Sequence, residues 1–165
     1  YPAEVITLII EAHVDEARTA AAFEAAGLMP FLHEQPLGAP WPTLREMITS
    51  GRRMVVFTES SDATLPWYHY AYAYAWDNPY SNRVPDDLRC TPGRGSNDSS
   101  LFILNHFLTA PVAMRSLAEM VNHDPFFIEH VRRCEAEAGQ LPNFVTVDFY
   151  EIGDVFRVVD SLNGV

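Results

Sequence analysis

The chain has 165 residues, 48% of them hydrophobic, with 22 acidic against 11 basic side chains and a net charge of -11. That is one domain's worth of chain with enough apolar content for a sizeable core. The acidic balance argues against a nucleic-acid partner and against broad electrostatic docking on an anionic membrane, because both need clustered cations. No apolar run approaches the roughly 20 residues of a membrane span.

Val5-Ile6-Thr7-Leu8-Ile9-Ile10 is a β-branched apolar run that stops on Glu11, the pattern of a strand buried on both faces with a carboxylate at its carboxyl end. Asp15 to Ala26 is Ala-rich, with Asp15 placed to cap a helix and Gly27 to end it. Leu28 to Leu32 predicts a minor strand, and the Pro-rich stretch from Pro36 to Pro42 excludes regular helix. Thr43, with Glu46 three residues on, is in capping-box register for a short helix that Gly51 stops. Met54-Val55-Val56-Phe57 is a second buried strand, ending near Glu59. Aromatic residues then recur at every second position from Tyr68 to Trp76. The alternation predicts strand, while the intervening alanines leave helix open. The segment reads either as an aromatic layer packed on the core or as a wall for a sugar or lipid chain.

Asn78 to Ser100 is a long polar loop, of a length that compact domains use for function or leave disordered. A third strand, Leu101 to Leu104, ends on Asn105-His106. Helices are predicted over Met114 to Val121 and Pro125 to Ala138, the second with Phe126, Phe127, His130, Val131 and Cys134 on one face. A fourth strand, Asn143 to Phe149, carries Asp148 and leads to a helix, Asp154 to Leu162, whose buried face is Val155, Phe156, Val158 and Val159.

Buried strands that end in polar groups and are spaced by helices describe part of a parallel α/β barrel with its site at the strand ends. A complete (β/α)8 barrel needs about 250 residues, so four strands in this length predict about half a barrel. The chain has no initiator Met, which fits a fragment of a longer protein; a complete small open-sheet domain is the alternative. The strand-end set is Glu11, His13, Glu59, Asn105, His106, Asp148 and Tyr150. Crowded carboxylates repel unless one is protonated, a cation sits among them or a metal binds. Oxygen ligands of this kind suit calcium or magnesium. Each member also has a plainer role: Glu11 as a solvated strand end, His13 as a loop residue, His106 as a buried histidine bonded to backbone. Asp148 lies in a very apolar run, where a charge is costly unless used or paired.

Cys90 and Cys134 are either two loose thiols or one disulfide pinning the long loop, which implies an oxidising compartment. Gly93-Arg94-Gly95 is a weak phosphate-loop candidate or a simple turn. There is no G-x-S-x-G elbow, Walker loop, H-E-x-x-H or C-x-x-C pattern.

Three stretches, Tyr1-Pro2 to Glu11, Pro40-Trp41-Pro42-Thr43-Leu44-Arg45-Glu46-Met47 before Gly51-Arg52-Arg53-Met54, and Leu104-Asn105-His106-Phe107-Leu108-Thr109, resemble the phosphatidylinositol-specific phospholipase C X-domain-like phosphodiesterases. Pro142-Asn143-Phe144-Val145-Thr146-Val147-Asp148-Phe149-Tyr150 and Gly153-Asp154-Val155-Phe156 complete the resemblance, which covers nearly the whole chain and is nearest to the bacterial and fungal secreted branch. It implies a distorted TIM barrel that cleaves phosphodiesters. Two histidines act as general base and acid, and an arginine or a calcium ion stabilises the phosphate charge. The family's catalytic histidines lie on strands upstream of this chain, and His13 and His106 do not occupy those motifs. Glu11 matches a calcium ligand of the metal-dependent members. Arg52 and Arg53 fall near substrate-binding lysines but precede the strand. Asp148 and Tyr150 match the final strand, where substrate-facing groups sit; Asn105, His106 and Glu59 complete the expected substrate-binding set. The expectation is a secreted enzyme acting on a phospholipid or related phosphodiester, with transient contact to a membrane surface. The chain alone is expected to need the missing half or to self-associate. A catalytically inactive binding module is the rival from another class, and a glycosidase using a carboxylate pair such as Glu11 and Glu59 is a third reading.

Overall fold

The structure is a computed structural model and describes residues 3–165; Tyr1 and Pro2, which open the first stretch of the resemblance, lie outside the described residues. The chain forms two compact units, divided between Tyr74 and Ala75.

In the first unit, β1 (Ile6–Ile10), β2 (Met54–Thr58) and β3 (Tyr68–Tyr70) form a parallel sheet in that order, with Ile10 opposite Thr58 and Thr58 opposite Tyr70. Helices α1 (Glu16–Ala25) and α2 (Leu44–Ser50) precede β2. The Asp15 carboxylate accepts from Arg18 N at 2.9 Å and so satisfies a free N–H of the first turn of α1. Thr43 and Glu46 form the predicted reciprocal cap of α2, with Thr43 N donating to Glu46 Oε2 at 2.8 Å and Glu46 N to Thr43 Oγ1 at 3.2 Å. Phe23, Leu32, Met54, Val56, Trp67 and Tyr68 make the core.

Two readings of this region change. Leu28 to Leu32 is not a strand: Met29–Phe31 is a 3₁₀ turn with Pro30 in it, and Leu32 keeps only a single bridge to Met54. Proline's fixed φ and missing N–H favour the turn over a ladder. β1 is not buried on both faces. Ile6 and Ile9 are 38% and 40% exposed, and among the described residues β1 pairs with β2 alone.

The aromatic segment is not one strand. β3 gives way to a single helical turn, α3 (Ala71–Tyr74), and then to β4 (Ala75–Asp77), the first strand of the second unit. Alanine's high helix propensity supports the turn. Of its aromatics, Tyr68, His69 and Trp76 are buried. His69 lies against Phe57 and Tyr74 at ring distances of 6.0 and 5.2 Å, the packing expected of a core layer.

In the second unit, β4, β5 (Leu101–Asn105) and β6 (Phe144–Thr146) are again parallel and in that order. Helices α4 (Arg115–Val121), α5 (Phe126–Ala138) and α6 (Val155–Asn163) belong to the same unit. Trp76 stacks flat on Phe102 at 3.9 Å, and Leu104, Phe127, Val131, Val155 and Val158 fill the core around them. Cys90 and Cys134 are joined as a disulfide, so the long loop is pinned to α5. The last strand is shorter than Asn143 to Phe149, because the chain leaves extended geometry before Phe149, at φ 53°. Phe156 is 69% exposed rather than buried and meets Tyr150 edge-on at 6.3 Å.

Of the four predicted strands, two are neighbours in each sheet, and the aromatic segment supplies the third strand of both. The result is a mixed α/β chain with two small parallel sheets.

Candidate site at the strand carboxyl ends

In the second unit the last residues of three adjacent parallel strands are Asp77, Asn105 and Thr146, and they are bonded to one another. Asn105 Nδ2 donates to Asp77 Oδ2 at 3.2 Å and to the Asn78 carbonyl at 2.7 Å, and Thr146 Oγ1 donates to Asn105 Oδ1 at 3.0 Å. The Asn105 backbone N–H donates to Asn78 Oδ1 at 2.6 Å. Asp77 is 1% exposed and is held by Arg94: Nη2 at 2.6 Å and Nε at 3.0 Å to Oδ2, with the Arg94 backbone N–H at 2.7 Å to Oδ1. A buried carboxylate persists when it is paired and its lone pairs are satisfied in this way.

The Gly93-Arg94-Gly95 segment is therefore neither a phosphate loop nor an idle turn. Gly93 N donates to the Asp77 carbonyl at 2.6 Å, and Asp77 N donates to the Arg94 carbonyl at 3.0 Å, so the segment clasps the end of β4. Gly95 sits at φ 78°, where a Cβ would overlap the Ala75 carbonyl. Asp77 was not singled out from the sequence, and Arg94 only as part of the 93–95 turn, not as the partner of a carboxylate. The signal available was an acidic residue closing an aromatic strand and a lone Arg between two glycines.

Asn105 is thus a buried member of this network. His106 has the plainer of its two roles. It is fully buried, stacks on Phe127 at 4.0 Å and spends both ring nitrogens inside the protein, Nε2 on the Val121 carbonyl at 2.9 Å and Nδ1 on His130 Nδ1 at 2.7 Å. Burial holds both imidazoles below the ordinary 6.5, His106 at about 4 and His130 at about 3, the latter also opposed by His106 and Arg133. The unfolded chain takes up protons near 6.5 that the folded chain refuses. Stability contributed by the pair is therefore complete above about pH 6.5 and is lost as pH falls towards about 4, on the order of a few kcal/mol. The expected result is a urea midpoint that drops steadily between pH 6.5 and 5, with His69, which burial also holds below its ordinary value, adding to the fall. That range lies above the one in which Glu16, Asp87 and Asp154, whose carboxyls are held below their usual values, change charge. A midpoint constant across that interval would contradict the neutral pair.

Asp148 is half-buried just past β6, and desolvation pushes its carboxyl up. Its backbone carbonyl accepts from Asn122 Nδ2 at 2.9 Å, whereas no hydrogen bond or ion pair to its carboxyl occurs among the described residues. A half-buried carboxyl without a partner is a functional candidate. Tyr150, 65% exposed, stands on the same segment.

In the first unit Glu11 and Glu59 follow the paired residues Ile10 and Thr58, which sets them side by side; Glu59 N donates to the Ile10 carbonyl at 3.2 Å. Tyr72 donates its hydroxyl to Glu59 at 3.2 Å, and Glu11 pairs with His13 at 2.8 Å, both exposed. A hollow of about 360 Å³ lies next to these ends, lined by Asp15, Glu16, Thr58, Ser60, Asp62 and Tyr68 among others, and the buried Tyr68 hydroxyl has no hydrogen-bond partner. Calcium takes 6–8 oxygen ligands. Among the described residues, no group of three or more His, Cys, Asp or Glu ligand atoms close enough to share an ion includes Glu11. The Arg pair sits at the opposite, amino end of β2: Arg52 donates to the Leu32 carbonyl at 3.2 Å, and Arg53 to the Glu4 carbonyl at 2.9 Å.

The family model of the PI-PLC X domain, PI-PLC X 1, matches residues 1–163. The chain belongs to the PI-PLC X family. It is 31% identical to a PI-PLC X domain-containing protein of Arabidopsis thaliana over 99% of this chain and 41% of that protein. It is 30% identical to PI-PLC X domain-containing protein 1 of Arthroderma benhamiae over 75% of this chain and 45% of that protein. An uncharacterized secreted protein of the same fungus is 28% identical over 76% of this chain and 34% of its own length. This PI-PLC X chain thus spans less than half the length of these curated relatives. No solved structure matches it.

Proposed function

We propose that this PI-PLC X chain is the carboxyl-terminal part of a phosphodiesterase domain of the phosphatidylinositol-specific phospholipase C type, with the (β/α)8 barrel fold that goes with it. The whole protein cleaves a glycerophospholipid or related phosphodiester by general acid and base chemistry. Its catalytic histidines belong to the segment upstream of this chain, and this chain contributes substrate-facing groups: Glu59 after β2, and Asp148 and Tyr150 after β6. Asn105 acts from the buried network of the second unit.

The observation that carries the reading is that every strand pair is parallel, so the polar residues gather at carboxyl ends. β1 supports the upstream segment. It is apolar and β-branched, yet half-exposed with one edge unpaired among the described residues, as a strand from the middle of a larger parallel sheet is when its neighbour is absent. The disulfide and the name of the fungal relative support an extracellular site of action.

The test is hydrolysis of phosphatidylinositol vesicles by a longer polypeptide containing this chain, beside the 165-residue chain alone. Turnover by the first and none by the second is expected. Vesicle binding without turnover by the longer form would instead indicate a binding module. The exposed pair Tyr150 and Phe156 suits contact with the lipid surface. Phe156→Ala is expected to weaken vesicle binding about threefold or more, the loss of one exposed aromatic side chain that lipid would partly cover, with an unchanged melting temperature; equal binding in a sedimentation assay would remove that role.

A further inference from the structure

We propose that the Cys90–Cys134 disulfide and a metal site are alternative states of one place: in the reduced chain Cys90 Sγ, Cys134 Sγ and His130 Nε2 bind a thiophilic divalent ion, zinc first, with His106 as the positioning residue.

The protonation pattern of the buried histidines fixes the third ligand. The Val121 carbonyl can only accept, so His106 Nε2, 2.9 Å away, carries a proton. A neutral imidazole has a single N–H, which makes His106 Nδ1 an acceptor. His130 Nδ1, at 2.7 Å, is then the donor. His130 Nε2 is left as a bare lone pair, and this atom is buried with no hydrogen-bond partner on a residue 2% exposed. Such an orphan is uncommon in a protein interior. His130 and the two cysteines each present a ligand atom, all within 4.8 Å of one another, and with Nδ1 spent on His106 the nitrogen His130 has to offer is Nε2.

His130 and Cys134 are four residues apart on α5, hence on one face, and Cys90 is a buried residue in the middle of the long loop. Zinc bonds sulfur at about 2.3 Å and imidazole nitrogen at about 2.0–2.1 Å, so ligands around it span a cluster of this size once the S–S bond is open. The His106–His130 bond does what a ligand histidine's outer partner commonly does, fixing the tautomer and the ring direction. Two thiolates neutralise the divalent charge, which makes its burial tolerable. Sulfur and imidazole select zinc rather than the calcium of oxygen sites.

The step balances with a dithiol or phosphine as reductant. A dithiol gives up two electrons and two protons, becoming a disulfide as the protein S–S bond breaks to two thiols. A phosphine with one water becomes the phosphine oxide and leaves the same two thiols. Metal binding then releases both thiol protons; a small-molecule disulfide, taking up the two electrons and two protons from water to become two thiols, re-forms the protein S–S bond and expels the ion.

The test titrates the phosphine-reduced 165-residue chain with cobalt(II), followed by zinc(II). One cobalt per chain is expected, with thiolate charge-transfer bands that zinc abolishes, and no such bands in the oxidised chain. His130→Ala should weaken cobalt binding at least tenfold, and His106→Phe by about 10–100-fold as an outer partner. If reduction unfolds the chain, zinc should restore its far-ultraviolet circular dichroism. Absence of the bands in a folded reduced chain, no recovery of an unfolded one, or equal affinity in His130→Ala overturns the proposal.

Discussion

Replacing Asp77 by alanine is expected to cost about 3–5 kcal/mol of folding stability, the range for breaking a buried ion pair by removing one partner. Asp77 is 1% exposed, and its carboxylate receives Arg94 through two side-chain nitrogens and one backbone N–H, together with Asn105 Nδ2. Alanine leaves that guanidinium facing a partly buried void and strips Asn105 of an acceptor, so the ends of β4 and β5 and the 93–95 clasp loosen together. Asp77→Asn keeps an oxygen for the Arg94 N–H while removing the charge, and should cost about half as much. Urea denaturation of the three proteins at pH 7 measures this. A loss under about 1 kcal/mol for alanine would mean the pair contributes no more than a surface one.

The second large effect is removal of the disulfide. Cys90 and Cys134 are separated by 44 positions, and closing a loop of that length restricts the unfolded chain by about 4 kcal/mol. Cys134 is fully buried and Cys90 nearly so, next to Phe127, Val131 and Val158. The double change Cys90→Ala with Cys134→Ala removes the constraint and two sulfur atoms' packing without adding a polar group. The expected outcome is a loss of about 4–5 kcal/mol in urea, and with it earlier proteolysis in the 78–100 loop, which the bond pins to α5. Stability within about 1 kcal/mol of the parent would show that the loop is held by other contacts.

The legible part of this chain was the part governed by local chemistry. Asp15, Gly27, the Thr43–Glu46 box, Gly51 and Gly139 mark helix ends through cap geometry that a few neighbouring residues determine, and those ends fall where expected. The apolar runs ending on Glu11, Glu59 and Asn105 gave strands, parallel to their partners within each sheet. Tertiary competition decided the rest. Tyr68 to Trp76 alternates as a strand does, but Ala71–Tyr74 is a helical turn that begins on the fully buried Ala71. Phe156 fits the apolar stripe of α6 but lies on the outside of it, against Tyr150. The Asp77 network was illegible because its bonded pairs are 17 to 41 positions apart, and the parallel register of β4, β5 and β6 brings Asp77, Asn105 and Thr146 together. His106 looked like a strand-end ligand because its buried partner, His130, sits 24 residues away on a helix.

The account stands on the carboxyl ends of the parallel strands of each unit carrying the substrate-facing groups of the PI-PLC X chain. The most direct measurement is kcat on phosphatidylinositol in the longer polypeptide, with melting temperature recorded for each variant. Glu59→Gln, Asp148→Asn and Tyr150→Phe, all past carboxyl ends, should lower kcat by about tenfold or more with little change in melting temperature. Arg53→Gln, at the amino end of β2, should leave kcat unchanged. A variant set in which Arg53→Gln abolishes turnover while the three carboxyl-end changes do not would contradict it.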